Sequence, residues 1–310
     1  MSIHRIKPSL LVIGGTGFVG YHLSLKAIKK GWKVTSVSTN KPKKHRYLNK
    51  VNYLKIDIAD LKKLEKKLVG SFDYVVNLGG YVDHRSFENG GEKIIKVHFT
   101  GVVNLTKIIS RKRIKKFVQV GSSAEYGNCK APQNENQDGQ PISPYALAKL
   151  ASTNFLLMLN KNNNFPVCVL RFFQIYGPKQ DQNRVVPKAI QSCLKNRKFA
   201  ASKGDQIRDF CFIDDAVDAI FLALKSRKSN GEIFNIGFGK AIKIKKAINT
   251  IQQIIGLGTI DYGKIKYRKD ENMSVYPNIN KAVSKLKWKP KINFNQGAKI
   301  SINSFKKKYG

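Results

Sequence analysis

A glycine-rich turn that directly follows a short apolar segment constrains this chain more than any other part of its sequence. Residues 10–13 are apolar and partly β-branched, which predicts a buried strand, and a helix pattern begins near Phe18. Glycines at this spacing allow the backbone to approach a pyrophosphate, and the N–H groups at the start of the helix would face the anion. We therefore predict that the segment binds a dinucleotide through Gly14, Gly15, Thr16, Gly17, Phe18, Val19 and Gly20.

Strand and helix patterns alternate through the first half of the chain. Strands are predicted over residues 10–13, 33–37, 51–56, 73–78, 116–120 and 166–172, with helices from Phe18 and over 60–68, 92–111 and 144–161. This order predicts an α/β fold with a Rossmann-type, doubly wound parallel sheet. We expect a dinucleotide-binding domain over residues 1–175 and a smaller substrate-binding region over 176–310, with a segment near 207–228 returning to the first domain.

The composition argues against several other classes of protein. The chain has 310 residues, 42% of them hydrophobic, which is enough for a large core. No apolar stretch approaches the roughly 18 residues of a membrane span, so we expect a cytoplasmic protein with no membrane partner. Neither a disulfide framework nor a metal site is predicted, because no ligand-like spacing occurs among Cys129, Cys168, Cys193, Cys211, His4, His22, His45 and His84.

The charge is strongly basic, with 57 lysines and arginines against 20 acidic residues and a net charge of +37. Such an excess attracts anionic partners, and a nucleic acid is one candidate. The lysines are, however, spread along every segment, without a basic tail or interleaved aromatic residues. We therefore expect a lysine-rich surface that attracts small anionic substrates, and no specific nucleic-acid partner.

Polar residues with catalytic potential follow the fifth predicted strand and open the next long helix. Tyr145 and Lys149 are four residues apart, so they share one helix face, where an ammonium group stabilises a phenolate. Ser122, with Ser123 as the second choice, would hydrogen-bond the reacting oxygen of a substrate. This set can move a proton on an alcohol or ketone while a nicotinamide carries the hydride.

These motifs together resemble the extended short-chain dehydrogenase/reductases, and specifically the NAD-dependent epimerase/dehydratase family, which modifies nucleotide sugars. The resemblance implies that Lys149 also holds the nicotinamide ribose and that further cofactor contacts come from Asp57, Ile58, Leu78, Gly79 and Gly80. It implies a substrate site formed by Gln174, Arg184, Val185, Arg208 and Arg268, of which the arginines suit a diphosphate. A homodimer and a role in surface-polysaccharide synthesis are further implications.

The end of the second predicted strand departs from the pattern of that family. Its NAD-dependent members usually place a carboxylate there for the ribose hydroxyls, whereas this chain has Ser38, Thr39 and Asn40. Basic residues follow at positions 41, 43, 44 and 46, which suits a 2′-phosphate. We therefore favour NADP slightly over NAD, with both left open.

The reaction is predicted to be hydride transfer at C4 of a nucleoside-diphosphate sugar, by a 4-ketoreductase or a 4-epimerase. The resembling 4,6-dehydratases carry Asp-Glu directly after the catalytic hydroxyl residue, where this chain has Ala124, with Glu125 one position later. A 4,6-dehydratase is therefore an alternative, as is a non-catalytic dinucleotide- or nucleic-acid-binding relative. His98 and Gln174 replace two asparagines, and we interpret His98 as a structural hydrogen-bonding residue.

Overall fold

The computed structural model describes residues 7–83, 85–109, 112–268 and 271–309. His4, His84 and the predicted helix end at residue 111 lie outside this part of the chain. The chain divides into two compact units. The first unit comprises the described part of Met1–Gly127 with Gly139–Arg171 and Ile220–Phe234, and the second comprises Asn128–Asp138, Phe172–Ala219 and the described part of Asn235–Gly310.

The division into units differs in detail from the domains expected from the sequence. The expected boundary at residue 175 lies close to the break after Arg171, but the returning segment is Ile220–Phe234 rather than 207–228. A short excursion, Asn128–Asp138, was not expected at all. It joins the second unit because it hydrogen-bonds residues more than 100 positions later in the chain.

The described residues form fourteen strands and ten α-helices. The strands are β1 (Ser9–Ile13), β2 (Lys33–Ser38), β3 (Val51–Lys55), β4 (Tyr74–Asn77), β5 (Lys116–Ser122), β6 (Val167–Phe172), β7 (Gln174–Tyr176), β8 (Lys198–Ala201), β9 (Ile207–Arg208), β10 (Phe210–Phe212), β11 (Glu232–Ile236), β12 (Ile242–Lys243), β13 (Thr259–Tyr262) and β14 (Ser274–Val275). The helices are α1 (Phe18–Lys29), α2 (Leu61–Lys67), α3 (Glu92–Ile95), α4 (Gly101–Ile108), α5 (Pro144–Asn163), α6 (Val185–Leu194), α7 (Ile213–Lys225), α8 (Ile244–Ile255), α9 (Asn280–Ser284) and α10 (Phe294–Tyr309). None of the described helices combines the length and the apolar character needed to cross a membrane.

A seven-stranded sheet in the order β11-β6-β5-β4-β1-β2-β3 is the centre of the first unit. β1 pairs in parallel with both β2 and β4, and β2–β3 and β4–β5 are also parallel. Helices cover the faces of such a sheet, so its central strands are buried, and Leu11, Val75 and Phe117 are fully buried. This sheet confirms the predicted α/β fold with a doubly wound parallel sheet, and it places the carboxyl ends of β1 to β5 along one edge.

The helix predicted over residues 92–111 is interrupted. Between α3 and α4 the chain forms a π turn over Lys96–Thr100, with His98 buried inside it. A π turn adds one residue per turn and is often found at functional sites, since it changes the direction of the side chains around it. The interruption therefore sets the position of the His98 ring.

Gly20 sets how closely α1 can pack on the turn after β1. A Cβ atom at Gly20 would lie 2.4 Å from the carbonyl oxygen of Gly14 and 2.6 Å from the Cα atom of Gly15. These are backbone atoms, which cannot move without displacing the strand or the turn. We expect Gly20→Ala to lower the free energy of unfolding by about 1–3 kcal/mol, as overpacking of a close contact does.

Gly17→Ala is the matched control in the same turn. Its Cβ atom would meet only the Gly14 carbonyl oxygen, at 3.2 Å, and the backbone at Gly17 has a φ of −75°, which any residue adopts. Urea denaturation of both variants would compare the two losses. Equal stability of the Gly20→Ala protein and the wild type would show that the helix can shift away from the strand.

Candidate active site

The glycine-rich turn of the first unit presents backbone rather than side chains at the carboxyl end of β1. Gly14 has a φ of +77° and its N–H group donates to the carbonyl oxygen of Val37, at 2.7 Å. α1 begins at Phe18 with Gly17 as its N-cap, and no side chain caps its first N–H groups. Backbone groups at an uncapped helix N terminus suit a pyrophosphate, and pyrophosphate binding by residues 14–20 stays a prediction.

The end of β2 carries hydroxyl and amide groups beside this turn. The Ser38 hydroxyl oxygen lies 3.4 Å from the backbone nitrogen of Thr16, which donates to it. Thr39 and Asn40 are exposed and follow directly. No carboxylate stands at this strand end, so the departure seen in the sequence is also present in the structure.

The other predicted cofactor residues follow β3 and β4 along the same edge. Asp57 accepts a hydrogen bond from the backbone nitrogen of Ala59 at 2.9 Å, and Ile58 is buried next to it. Leu78 continues from β4 and donates to the carbonyl oxygen of Ile13, at 2.9 Å. Gly80 has a φ of +91°, in the left-handed region that favours glycine. The structure thus gathers all of these segments at the carboxyl ends of neighbouring strands.

Tyr145 and Lys149 lie in the first turns of α5. The helix begins at Pro144, and the Ser143 hydroxyl caps it by accepting from the Ala146 nitrogen at 3.2 Å. Both predicted catalytic side chains are 5% exposed. The Lys149 ammonium donates to the carbonyl oxygen of Val120, near the end of β5, at 2.8 Å. Burial lowers the pKa of Lys149 to about 8, although the Glu125 carboxylate acts in the opposite direction.

The two candidate serines after β5 have different surroundings. The Ser122 hydroxyl oxygen accepts from the Ala124 nitrogen at 3.1 Å, and the Ser122 nitrogen donates to Glu125 at 2.7 Å, so the pair forms a capping box. Ser123 is the first residue of the short 3₁₀ turn that follows and is partly exposed. The hydroxyl oxygen of Ser122, the first choice from the sequence, therefore accepts within its own turn, and its O–H group can still donate.

Behind these serines, Glu125 and Arg171 form an ion pair. This pair was not predicted from the sequence. Arg171 Nε donates to Glu125 Oε2 at 2.9 Å, and the two side chains are 3% and 0% exposed. Thr153 donates to the same carboxylate oxygen at 2.8 Å, and the guanidinium group lies over the ring of Tyr126, 4.5 Å from its centre. Both oxygens of Glu125 are thus engaged inside the protein.

The second unit contains a cavity of about 380 Å³ that brings together all five predicted substrate residues: Gln174, Arg184, Val185, Arg208 and Arg268. Arg208 on β9 donates from Nη1 to the carbonyl oxygen of Ile207 at 2.8 Å and from Nη2 to Glu271. Nε of Arg268 lies 3.8 Å from the other oxygen of Glu271. Glu271 was not singled out in the sequence, because nothing local connects it to an arginine 63 residues earlier.

The described lining of this cavity is cationic on one part and apolar on another. Its cations are Arg184, Lys188, Arg208, Lys266 and Arg268, and Glu271 is the acidic residue among them. Its apolar side chains include Val185, Phe199, Phe210, Ile244 and Ile248. A ligand with an anionic group and a flat or apolar group fits such a lining.

The sequence of residues 10–237 matches the NAD dependent epimerase/dehydratase family. The chain belongs to this family. A putative UDP-glucose 4-epimerase of Methanocaldococcus jannaschii is 29% identical over 305 residues, which cover 96% of this chain and 98% of that protein. The membership confirms the resemblance drawn from the glycine-rich turn and the Tyr145–Lys149 pair, and with it an NAD(P)-dependent enzyme of the nucleotide-sugar class.

Solved structures of relatives show the same architecture. UDP-glucose 4-epimerase of Thermotoga maritima, solved with UDP-glucose, is 26% identical and superposes with a TM-score of 0.86, covering 97% of this chain and 100% of that one. UDP-glucuronic acid 4-epimerase of Bacillus cereus, solved with UDP-glucuronic acid and NAD, is 25% identical with a TM-score of 0.83 and the same coverage. Such relatives bind nucleotide sugars and NAD.

Proposed function

We propose that this enzyme is a 4-epimerase of a UDP-sugar that uses a tightly bound NAD. The observation that carries the proposal is the buried Tyr145–Lys149 pair in a family whose similar members include 4-epimerases. The cofactor cradle supports it, because the backbone of residues 14–20 and the uncapped start of α1 fit a dinucleotide pyrophosphate. When bound, NAD supplies reversible hydride transfer at the sugar C4 atom.

The chain's own residues supply the proton chemistry. Tyr145 takes the proton from the C4 hydroxyl group and later returns it to the oxygen of the keto sugar. Lys149 stabilises the phenolate by its charge and holds the nicotinamide ribose. We assign the hydrogen bond to the sugar oxygen to the O–H group of Ser122, which can donate while its oxygen accepts from Ala124, with Ser123 as the second choice.

The diphosphate of the substrate is assigned to the cationic cavity of the second unit. Arg184, Arg208 and Arg268 would bind its oxygens, with Gln174 and Val185 as further contacts. Guanidinium groups suit this task because each presents several N–H donors in one plane. The apolar part of the lining would receive the base.

The structure favours this function over a 4,6-dehydratase. Elimination of water needs an additional acid at the sugar, and Glu125 was the available candidate in the sequence. Glu125 is fully buried, and its two oxygens accept from Ser122, Thr153 and Arg171. A carboxylate held in this way cannot also donate a proton to a substrate.

A 4-ketoreductase that uses NADPH is the second candidate, and the end of β2 favours it. Ser38, Thr39 and Asn40 present no carboxylate that would repel a 2′-phosphate, and Lys41, Lys43 and Lys44 follow. The same Tyr145 would then donate a proton to the keto oxygen of a sugar that is consumed. The two reactions differ in whether the cofactor is regenerated in each cycle.

Identification of the dinucleotide in the purified protein separates these candidates. We expect denaturation to release about one equivalent of NAD, and the protein to interconvert a UDP-sugar and its C4 epimer without added cofactor. An empty protein that binds NADPH at least about tenfold more tightly than NADH would instead indicate the ketoreductase. A protein that binds neither dinucleotide would refute both.

We also propose a homodimer that is formed through α5. Leu147 and Met158 are 51% and 43% exposed, and they lie on one face of this helix together with Ala151 and Asn154. Large exposed apolar side chains at this spacing are typical of a helix that packs against a partner. Sedimentation of the wild type and of a Leu147→Glu/Met158→Glu variant would test it, because only the wild type should sediment as a dimer.

A further inference from the structure

Asp209 is a fully buried aspartate that directly follows Arg208, one of the arginines that line the cavity of the second unit. It lies between β9 and β10. Its carboxylate accepts hydrogen bonds from three consecutive backbone nitrogens, those of Phe238 at 2.7 Å, Gly239 at 2.7 Å and Lys240 at 3.1 Å. These residues belong to the loop of residues 237–241 between β11 and β12, which we call the anchor loop. One buried carboxylate thus holds this loop at three points.

The anchor loop has the form of a backbone nest for an anion. Successive N–H groups converge on one point when a residue of the turn adopts the left-handed region, and Gly239 has a φ of +80°. At Gly237 a Cβ atom would lie 2.7 Å from Oδ1 of Asp209 and 2.5 Å from Cγ of Pro277. The loop is therefore closed tightly around a carboxylate of the chain itself.

The anchor loop leads into β12 and the start of α8, beside the cavity. β12 pairs antiparallel with β9, with Ile242 opposite Arg208, and β14 pairs with β9 on its other side. One turn further, the backbone nitrogen of Ile244 donates to the carbonyl oxygen of Gln206 at 2.9 Å. Ile244 belongs to the apolar part of the cavity lining. The position of the loop therefore affects the backbone of Arg208 and the apolar part of the lining together.

We propose that Asp209 is a positioning residue for substrate binding, because it holds the anchor loop against β9 and thereby directs Arg208 at the diphosphate. The inference rests on the proposed function, in which Arg208 binds that diphosphate. A bidentate contact between a guanidinium group and a phosphate depends on direction as well as on charge, so a small displacement of β9 weakens it. Asp209 is not among the described residues that line the cavity. The chemical step and cofactor binding should therefore not depend on it.

The ionisation of Asp209 gives a second test of the same contact. Burial raises the pKa of Asp209 to about 6, although the three backbone N–H groups act in the opposite direction. The other titratable or charged groups around it are Arg208, Lys240, Tyr176, Cys211 and Asp215. Burial raises the pKa values of the tyrosine and the cysteine, so both stay neutral at and below pH 7.5. Asp209 gains a proton as the pH falls from 7.5 to 5, and a neutral carboxyl group binds the N–H groups of the loop less firmly.

Asp209→Asn and Asp215→Asn form the matched pair for the test. Asp215 is also a buried carboxylate of the second unit, its pKa is also raised by burial, and it accepts from the backbone nitrogen of Ile292 at 3.0 Å. It does not belong to the described lining of the cavity. An asparagine amide accepts at only one of the two oxygen positions and places donors at the other, so each substitution weakens a comparable anchor. A merely structural effect would therefore appear in both variants.

For Asp209→Asn at pH 7.5 we expect calorimetry to show about tenfold weaker binding of UDP, as the loss of one hydrogen bond to a charged group predicts. The KM for the UDP-sugar should rise by the same factor, with kcat and bound dinucleotide unchanged. Asp215→Asn should bind UDP within about twofold of the wild type. Equal UDP affinity of Asp209→Asn and the wild type, or an equal loss in Asp215→Asn, would overturn the proposal. A wild type that does not bind UDP would instead refute the proposed function on which the inference rests.

The pH dependence of the wild type tests the inference without any substitution. UDP-glucose is the probe, because its diphosphate is a diester and keeps its charge between pH 5 and pH 7.5. The described lining of the cavity contains no histidine that would titrate in this range. We expect the wild type and Asp215→Asn to bind UDP-glucose about fivefold more weakly at pH 5 than at pH 7.5, and Asp209→Asn to show no such loss. A wild-type affinity that stays constant over this range would overturn the proposal, even if Asp209→Asn does not fold.

Discussion

Replacing Tyr145 with phenylalanine is expected to lower turnover by about 10²- to 10⁴-fold while the protein keeps its dinucleotide. The substitution removes the hydroxyl group that carries the proton, but it preserves the ring that packs edge to face on His98. The steady-state rate of sugar interconversion and the dinucleotide content after denaturation measure the two effects separately. A loss confined to kcat would place Tyr145 in the chemical step rather than in binding.

Tyr74→Phe is the matched control for this substitution. Tyr74 lies on β4 in the same unit, and its ring stacks on Trp32 with the ring centres 4.9 Å apart. Phenylalanine keeps that contact, so both the stability and the rate should stay close to those of the wild type. Near-normal turnover of Tyr145→Phe would contradict the assignment of the acid/base residue.

Arg171→Met is expected to lower the free energy of unfolding by about 3–5 kcal/mol, since it leaves a buried carboxylate without its cation. Glu125 is 0% exposed and relies on Arg171 Nε at 2.9 Å. The substitution also removes the cation that lies over the Tyr126 ring. Urea denaturation followed by tryptophan fluorescence would measure the loss.

The double variant Glu125→Gln/Arg171→Met separates the ion pair from the packing around it. Once residue 125 is also neutral, the carboxylate that lost Arg171 is no longer charged, so part of the lost stability should return, although the buried Lys149 then lacks the Glu125 charge. The Ser122 and Thr153 contacts can persist with the glutamine amide. If the losses in free energy of unfolding of Glu125→Gln and of Arg171→Met simply add up in the double variant, the pair contributes through shape rather than through charge.

The sequence predicted the parts of the site that depend on short-range spacing. The glycines at positions 14 to 20 and the Tyr145–Lys149 pair act within one turn or one helix face, so their geometry follows from the local chain. The parallel sheet was predicted because strand and helix patterns alternate along the chain. The ends of these strands then brought the predicted cofactor residues to one edge without further information.

Contacts between residues that are distant in the sequence could not be predicted in this way. Glu271 meets Arg208 only because β9 and the segment before β14 come together in the folded second unit. The His98 side chain in the π turn contacts the carbonyl oxygen of Tyr81, 17 residues earlier. The cap that the Ser122 hydroxyl oxygen provides for its own turn was also not predicted, because residue spacing does not show it.

The segment Asn128–Asp138 was also not predicted, because its place in the second unit depends on long-range contacts. Gln133 in this segment is fully buried, and its backbone and side chain exchange hydrogen bonds with Tyr276, while its carbonyl oxygen accepts from Asn235 at 3.0 Å. None of these partners is near in sequence, and no composition signal marks the segment. Its membership of the second unit could only be seen in the folded protein.

The path of the chain limits how this enzyme could be recombined with its relatives. The chain passes between the units after Gly127, Asp138, Arg171, Ala219 and Phe234. Replacing everything after residue 175 with the sequence of a relative would therefore also replace Ile220–Phe234, which belongs to the first unit. This segment contains most of the edge strand β11. A working chimera has to exchange three separate stretches at once, so the proposed substrate site is more readily altered by point substitutions in the cavity lining than by swapping segments.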